Sequence, residues 1–88
     1  MNNTVMLVGR IKDIKEQELY VTITNFNNKK DSIIKCNIPE NLAKNCIDYL
    51  EIDGVVGIKG YLESDEDFNI KLIVDKISFL TSKNKNEN

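Results

Sequence analysis

Residues 32–62 read SIIKCNIPENLAKNCIDYLEIDGVVGIKGYL, and the spacing of their apolar side chains changes twice. Over residues 32–38 apolar and polar side chains alternate, as in a strand with one buried face. Pro39 ends this strand because it has no N–H to donate. Up to residue 53 the apolar spacing lengthens to about 3.6, which predicts one short amphipathic helix. The strand spacing returns over residues 55–62, so the stretch predicts strand, helix, strand.

Strand-like segments also flank this stretch on both sides. Residues 5–12 are apolar and β-branched and predict a first strand that bends near Gly9. Residues 19–26 have the clearest alternation in the sequence and predict a second strand. Residues 70–80 predict a last strand, interrupted at Asp75 and Lys76. The predicted order is therefore strand, strand, strand, helix, strand, strand.

A helix between the third and fourth strands is the element order of the OB-fold. This fold is a five-stranded Greek-key β-barrel in which strands 2 and 3 bind oligomers. We therefore predict an all-β OB-fold domain with one helix over residues 1–80. Residues 81–88 hold no large apolar side chain and are expected to form a disordered tail.

The alternation also predicts which side chains form the core. The inward-facing strand residues are expected to be Leu19, Val21, Ile23, Ile34, Cys36, Ile38, Val56, Ile58 and Leu62. Tyr49 on the helix and Phe79 on the last strand are also expected to pack inside.

Composition favours a binding module over an enzyme. Eighty-eight residues allow a single core. The chain has no histidine, so it lacks a ready general base, and no serine or cysteine nucleophile has an identifiable partner. Cys36 and Cys46 lack metal-site spacing and are predicted to be buried, reduced thiols, with no cofactor. The acidic run at residues 63–67 lacks the calcium-loop pattern and predicts a solvated hairpin tip.

The chain shows no signal for a membrane or for export. Its first residues lack a basic region followed by an apolar run, and no segment approaches the roughly 18 apolar residues of a membrane span. We expect a cytoplasmic protein. Twelve Lys and Arg against fourteen Asp and Glu give a net charge of -2, which argues against a strong nucleic-acid binder.

Several segments resemble the bacterial single-stranded DNA-binding proteins. VMLVGRI at residues 5–11 resembles the opening strand of that family. Residues 41–50 are similar to its helix, which ends in a Tyr-Leu pair, and residues 53–62 to its following strand. VDKISFL at residues 74–80 is similar to its closing strand. The resemblance covers residues 4 to 80 in order.

The resemblance implies binding of single-stranded DNA without strong sequence preference, in replication, recombination or mobile-element transactions. It also implies a homodimer or homotetramer, and we expect the first strand to form the subunit contact. In that family bases stack on aromatic side chains of the third strand, of its end and of the hairpin between the fourth and fifth strands. Here the matching positions hold Ile33, Pro39 and Asp67, with Phe68 one residue away. The hairpin is acidic, and the acidic partner-binding tip of the family is not expected, so we predict weak, salt-sensitive binding.

Single strands bind to aromatic platforms beside a positive groove. The predicted nucleic-acid-binding residues are Arg10, Lys12, Tyr20, Phe26, Lys29, Lys30, Ile33, Lys35, Lys59, Tyr61 and Phe68, with Lys71 as a further cation. Lys35 and Lys59 are expected to lie on neighbouring strands.

Each of these residues also has a plainer interpretation. Tyr20 and Phe26 fit a subunit interface or a barrel end equally well, and charges on strands commonly just face solvent. For the whole chain, the alternative is an OB-fold protein-interaction or oligomerisation module of a replication, conjugation or primosomal complex, with weak or no DNA binding. The net negative charge and the loss of stacking aromatics favour that alternative.

Overall fold

The computed structural model describes residues 2–80, which form a closed barrel of five strands with one helix. The elements are β1 (Val5–Lys15), β2 (Glu18–Thr24), β3 (Asp31–Asn37), α1 (Glu40–Cys46), a 3-10 turn (Ile47–Tyr49), β4 (Val55–Ser64) and β5 (Ile70–Phe79). The strands are hydrogen-bonded in the order β1-β2-β3-β5-β4. The predicted OB-fold is confirmed, with its helix between β3 and β4. The tail predicted for residues 81–88 lies outside the described residues.

The long strand β1 belongs to both halves of the barrel. Residues 5–10 pair with β4, and residues 10–15 pair with β2. Gly9 lies next to this change of partner, where an added Cβ would come within 2.5 Å of the carbonyl oxygen of Thr22. A bulge at Lys12 follows, and the strand continues to Lys15, three residues beyond its predicted end. The turn into β2 is consequently only two residues long.

The interruption predicted in the last strand is a β-bulge. Lys76 pairs with Lys59 and Val74 pairs with Gly60, so Asp75 is the extra residue in an otherwise continuous β5. An added Cβ on Gly60 would overlap the carbonyl oxygen of Ile73 on the paired strand. Glycine is therefore required at this position for the backbones of β4 and β5 to approach each other.

The barrel interior is filled mainly by the predicted side chains. Those that are buried are Leu19, Val21, Cys36, Ile38, Val56 and Ile58, together with Ile11, Leu72 and Val74 from β1 and β5. Ile23 and Ile34 are half-buried and pack against this core. From the helix, Ala43 is buried in the same cluster.

Three core predictions are wrong. Leu62 is exposed because it follows the last pair of β4 with β1, Val5 with Gly60, and begins the part of β4 and β5 that extends beyond β1, which we call the free hairpin. Tyr49 is 70% exposed because α1 ends at Cys46, and the tighter 3-10 turn that follows carries Tyr49 out of the helical stripe. Phe79 is partly exposed at the last position of β5, where its ring meets that of Tyr49 edge to face, with centroids 6.4 Å apart.

Both cysteines are buried free thiols, as predicted. Burial raises the pKa of Cys36 to about 11. Within residues 2–80, no group of three or more His, Cys, Asp or Glu side chains is placed to hold a metal ion. None of the described helices has the length and apolar character needed to cross a membrane.

Candidate nucleic-acid interface

The outward side chains of β2, β3 and the second half of β1 form one continuous surface, which we call the front face. Arg10, Thr22 and Ile33 lie side by side across the three strands. In an adjacent row, Tyr20 lies directly opposite Lys35. Side chains opposed in this way have Cβ atoms about 4.5–5.5 Å apart. The barrel thus brings two predicted cations, one aromatic ring and one aliphatic side chain into contact range.

Tyr20 sits in a network of charged side chains. Its hydroxyl donates a 2.8 Å hydrogen bond to the carboxylate of Glu18, which also lies 3.8 Å from the Lys35 ammonium. The Lys15 ammonium lies 5.7 Å from the centroid of the Tyr20 ring and 3.9 Å from the Asp13 carboxylate. The hydrogen bond to Glu18 raises the pKa of Tyr20, and desolvation and the negative charges of Glu18 and Asp13 act in the same direction.

The Arg10 end of the front face is a shallow polar groove. The Arg10 guanidinium donates a 3.0 Å hydrogen bond to the Asp53 carbonyl oxygen, which holds the side chain at the groove wall. The Thr24 hydroxyl hydrogen-bonds the Asp31 carboxylate across β2 and β3 at 2.8 Å. The groove is lined by Arg10, Ile11, Lys12, Thr22, Thr24, Asp31, Ile52 and Asp53. Its two cations can contact a phosphodiester backbone, while the carboxylates of Asp31 and Asp53 in the same lining oppose it.

The loop between β2 and β3 extends the front face with an exposed ring and two cations. Phe26, predicted to end the second strand, lies instead in this loop and is 88% exposed. The loop is closed by two backbone hydrogen bonds, from Asn25 to Lys30 and from Lys29 to Asn25. Lys29 adopts a left-handed conformation with φ of 57°. A closed loop of this kind holds the ring and the lysines at a fixed place beside β2 and β3.

Tyr61 lies on the side of the barrel next to the front face. It is opposed by Ile73 on β5, and Ile73 is in turn opposed by Asn37 on β3. The parallel register of β3 and β5 places Lys71 at the level of Lys35. Asn37 was not among the predicted site residues, and its side-chain oxygen is buried without a hydrogen-bond partner among the described residues. An amide at an outward strand position was the only sequence signal for it.

Lys59 is not part of the front face. β5 lies between β3 and β4, so the expectation that Lys35 and Lys59 occupy neighbouring strands is wrong. Lys59 instead lies between Met6 on β1 and Lys76 on β5, on another side of the barrel. Alternation along a strand identifies outward positions, but it does not identify which strands are neighbours.

Phe68 lies at the tip of the free β4–β5 hairpin. Its ring is 85% exposed and its backbone is left-handed, with φ of 66°. The Asp65 carboxylate accepts hydrogen bonds from the N–H groups of Asp67 at 2.8 Å and Asn69 at 3.0 Å. These bonds, chiefly those from Asn69, lower the pKa of Asp65. The turn therefore exposes the Phe68 ring among acidic side chains, with its backbone held by hydrogen bonds to Asp65.

Comparison with known proteins bears on the fold. None of the protein-family models matches the chain, and no curated protein sequence matches it. Among solved structures, the mitochondrial single-stranded DNA-binding protein Rim1 of S. cerevisiae superposes with a TM-score of 0.78 at 12% identity, over 93% of this chain and 99% of Rim1. The SSB domain of a Synechococcus sp. protein gives 0.69 at 13% identity, over 89% and 96% of the two chains. The second single-stranded DNA-binding protein of Mycobacterium smegmatis, SSBb, gives 0.69 at 15%, over 91% and 90%. The chain is therefore an OB-fold barrel built like the barrels of these single-stranded DNA-binding proteins.

Proposed function

We propose that this chain binds single-stranded DNA without strong sequence preference, in replication, recombination or mobile-element transactions. The observation that carries the proposal is the fully displayed ring of Phe26 beside Lys29 and Lys30, on a loop that continues the front face of Tyr20 and Lys35. Rings that stack on bases and cations that meet phosphates are the two components such a site needs. The likeness to barrels named as single-stranded DNA-binding proteins supports the same function. We also propose that the protein is not an enzyme and acts in the cytoplasm.

Binding should depend strongly on salt. For a protein that binds single strands, the slope of log K against log salt concentration is about -0.7 for each phosphate that the protein neutralises. Engagement of the five predicted cations of the front face and its loop would therefore give a slope of about -3.5. These cations are Arg10, Lys12, Lys29, Lys30 and Lys35. The net charge of -2 lowers the affinity without removing the local attraction.

The test is fluorescence anisotropy with a labelled oligothymidine of about 35 nucleotides, a length chosen to exceed the site sizes of single OB-folds. We expect Phe26→Ala to weaken binding by roughly 5- to 150-fold, the equivalent of one stacked base. Tyr49→Ala is the matched control, because Tyr49 is also an exposed aromatic but lies outside the front face. Lys35→Ala should reduce the salt slope, and Lys44→Ala on α1 is its control. Equal losses for Phe26→Ala and Tyr49→Ala, or no binding at low salt, would refute the proposed site.

We further propose that the chain forms a homodimer or homotetramer through the outer surface of β1. Met6 and Val8 are 75% and 61% exposed and line an apolar groove with Gly57 and Leu80. A barrel of this size gains stability when two copies cover such a surface on each other. Light scattering at micromolar concentration should give a multiple of 10.1 kDa for the wild type and a single-chain mass for Val8→Glu. A wild-type mass of 10.1 kDa would exclude the oligomer.

A protein-interaction module is the second candidate, and the free hairpin favours it. Leu62, Phe68 and Ile70 are exposed there among carboxylates, a combination that suits a basic protein partner better than a phosphate backbone. The two candidates differ in the anisotropy experiment. Under the second, the wild type binds no oligothymidine even at low salt, although the oligomer still forms.

A further inference from the structure

Glu18 is an acidic residue at the Tyr20 end of the front face. It is the first residue of β2, opposed by Lys15 on β1 and by Asn37 on β3, and its side chain is 38% exposed. One carboxylate oxygen accepts the Tyr20 hydroxyl hydrogen bond at 2.8 Å. The other lies 3.8 Å from the Lys35 ammonium. A single carboxylate therefore engages both a cation and a hydroxyl that a DNA phosphate would otherwise contact.

At the Tyr20 end of the front face, the charged side chains contact other side chains of the same chain. Lys15 lies over the Tyr20 ring and is itself within 4 Å of Asp13, at 3.9 Å, while Lys35 is held by Glu18. Surface ion pairs of this geometry contribute little to folding stability, because solvent screens both charges. The same carboxylate has a larger effect on a polyanion, which must displace it from Lys35 and is repelled by its charge. The Glu18 charge is therefore expected to change the affinity for a polyanion more than it changes the folding stability.

We propose that Glu18 is an internal competitor for the DNA phosphate and sets the affinity of the front face. This inference rests on the proposed function. In the free protein Glu18 holds Lys35 and the Tyr20 hydroxyl, and in the complex a phosphate oxygen replaces its carboxylate as their acceptor. The charged groups around Glu18 are Lys15 and Asp13 from β1 and Lys35 from β3, so removing the Glu18 charge leaves two lysines and one carboxylate.

The experiment is oligothymidine anisotropy with Glu18→Gln over a range of salt concentrations. Glutamine keeps the size and an oxygen acceptor for Tyr20 but removes the charge. We expect the variant to bind about two- to fivefold more tightly, the equivalent of one surface ion pair released. We also expect its salt slope to be steeper by up to about 0.7, because Lys35 becomes free to neutralise a phosphate. Glu16→Gln, on the adjacent turn, is the control for the same change of net charge and should have a smaller effect.

A second variant assigns the effect to Lys35. In a Lys35→Gln background, Glu18→Gln should leave the slope unchanged and should raise the affinity no more than Glu16→Gln does. If the wild type binds and Glu18→Gln binds equally with the same slope, DNA binding stands and the role of Glu18 is refuted. If neither the wild type nor Glu18→Gln binds at low salt, both proposals fail. Thermal unfolding of each variant checks that the barrel is intact.

Discussion

Replacing Phe68 with glycine should stabilise the fold while weakening DNA binding. Phe68 has a left-handed backbone, with φ of 66°, and an L-residue other than glycine pays about 1–2 kcal/mol for that conformation. Glycine avoids this cost but loses about 0.5–1 kcal/mol of additional chain entropy on folding. The ring is 85% exposed, so its removal sacrifices little buried area. The net expectation is a gain of about 0.5–1 kcal/mol.

For a domain of this size, that gain corresponds to a rise of roughly 2–8 °C in Tm. The affinity should move in the opposite direction. If a base stacks on Phe68, the variant loses roughly 1–3 kcal/mol, or about 5- to 150-fold in Kd. Thermal unfolding by circular dichroism and oligothymidine anisotropy on the same samples measure both quantities. Phe26→Gly is the control, because Phe26 is equally exposed but does not have a positive φ, so its replacement should give no gain in stability.

A fall in the Tm of Phe68→Gly would refute the strain argument and show that the ring packs against the barrel. An unchanged Kd would remove Phe68 from the DNA site and move it to the candidate protein-binding hairpin. The salt dependence of binding also distinguishes a DNA-binding role of Phe68 from a protein-binding role. Because Asp65 and Asp67 repel phosphates near the ring, salt should screen that repulsion and enlarge the ratio of variant to wild-type Kd.

Three further predictions concern the barrel and its titratable groups. Gly60→Ala should lower the free energy of unfolding by about 1–3 kcal/mol in a urea titration, because its Cβ meets the Ile73 carbonyl oxygen, whereas Gly57→Ala should be tolerated. Cys36, with a pKa of about 11, should react with a thiol reagent at mildly alkaline pH only after unfolding, and fast reaction in the native state would contradict its burial. Glu18→Gln should lower the pKa of Tyr20 towards its model-compound value of 10.0, measured by tyrosinate absorbance with the other tyrosines replaced by phenylalanine.

The alternation of side chains was sufficient to predict the fold. Each strand of a small barrel has one buried face, so the inward positions of β2 and β3 follow directly from the period of two. Pro39 and the change to a helical period fixed the position of α1. The predictions failed where an element ended. Tyr49 left the helical stripe at a 3-10 turn, and Leu62 lay beyond the last pairing of β4 with β1.

The candidate site was less predictable, because it depends on which strands are neighbours. The alternation of side chains predicted that both Lys35 and Lys59 point outward. The barrel closes by pairing β3 with β5, so the two lysines lie on different sides. The contacts of Glu18 were also hidden from the sequence. Glu18 lies opposite Lys15 and Asn37 only because β2 is paired on both of its edges, and that pairing depends on the bulge at Lys12.

The net charge of the chain is a poor guide to its ligand because it does not report how many cations lie together on one surface. The cations of the front face lie on β1, β3 and the loop after β2, whereas the carboxylates of residues 63–67 lie on the free hairpin. A local group of cations can attract a polyanion even when the total charge is negative. Carboxylates also lie on the front face, among them Asp13 and Asp31, and Glu18 is the carboxylate that contacts both Lys35 and the Tyr20 hydroxyl. Its position there is what makes the affinity of this face adjustable by a single residue.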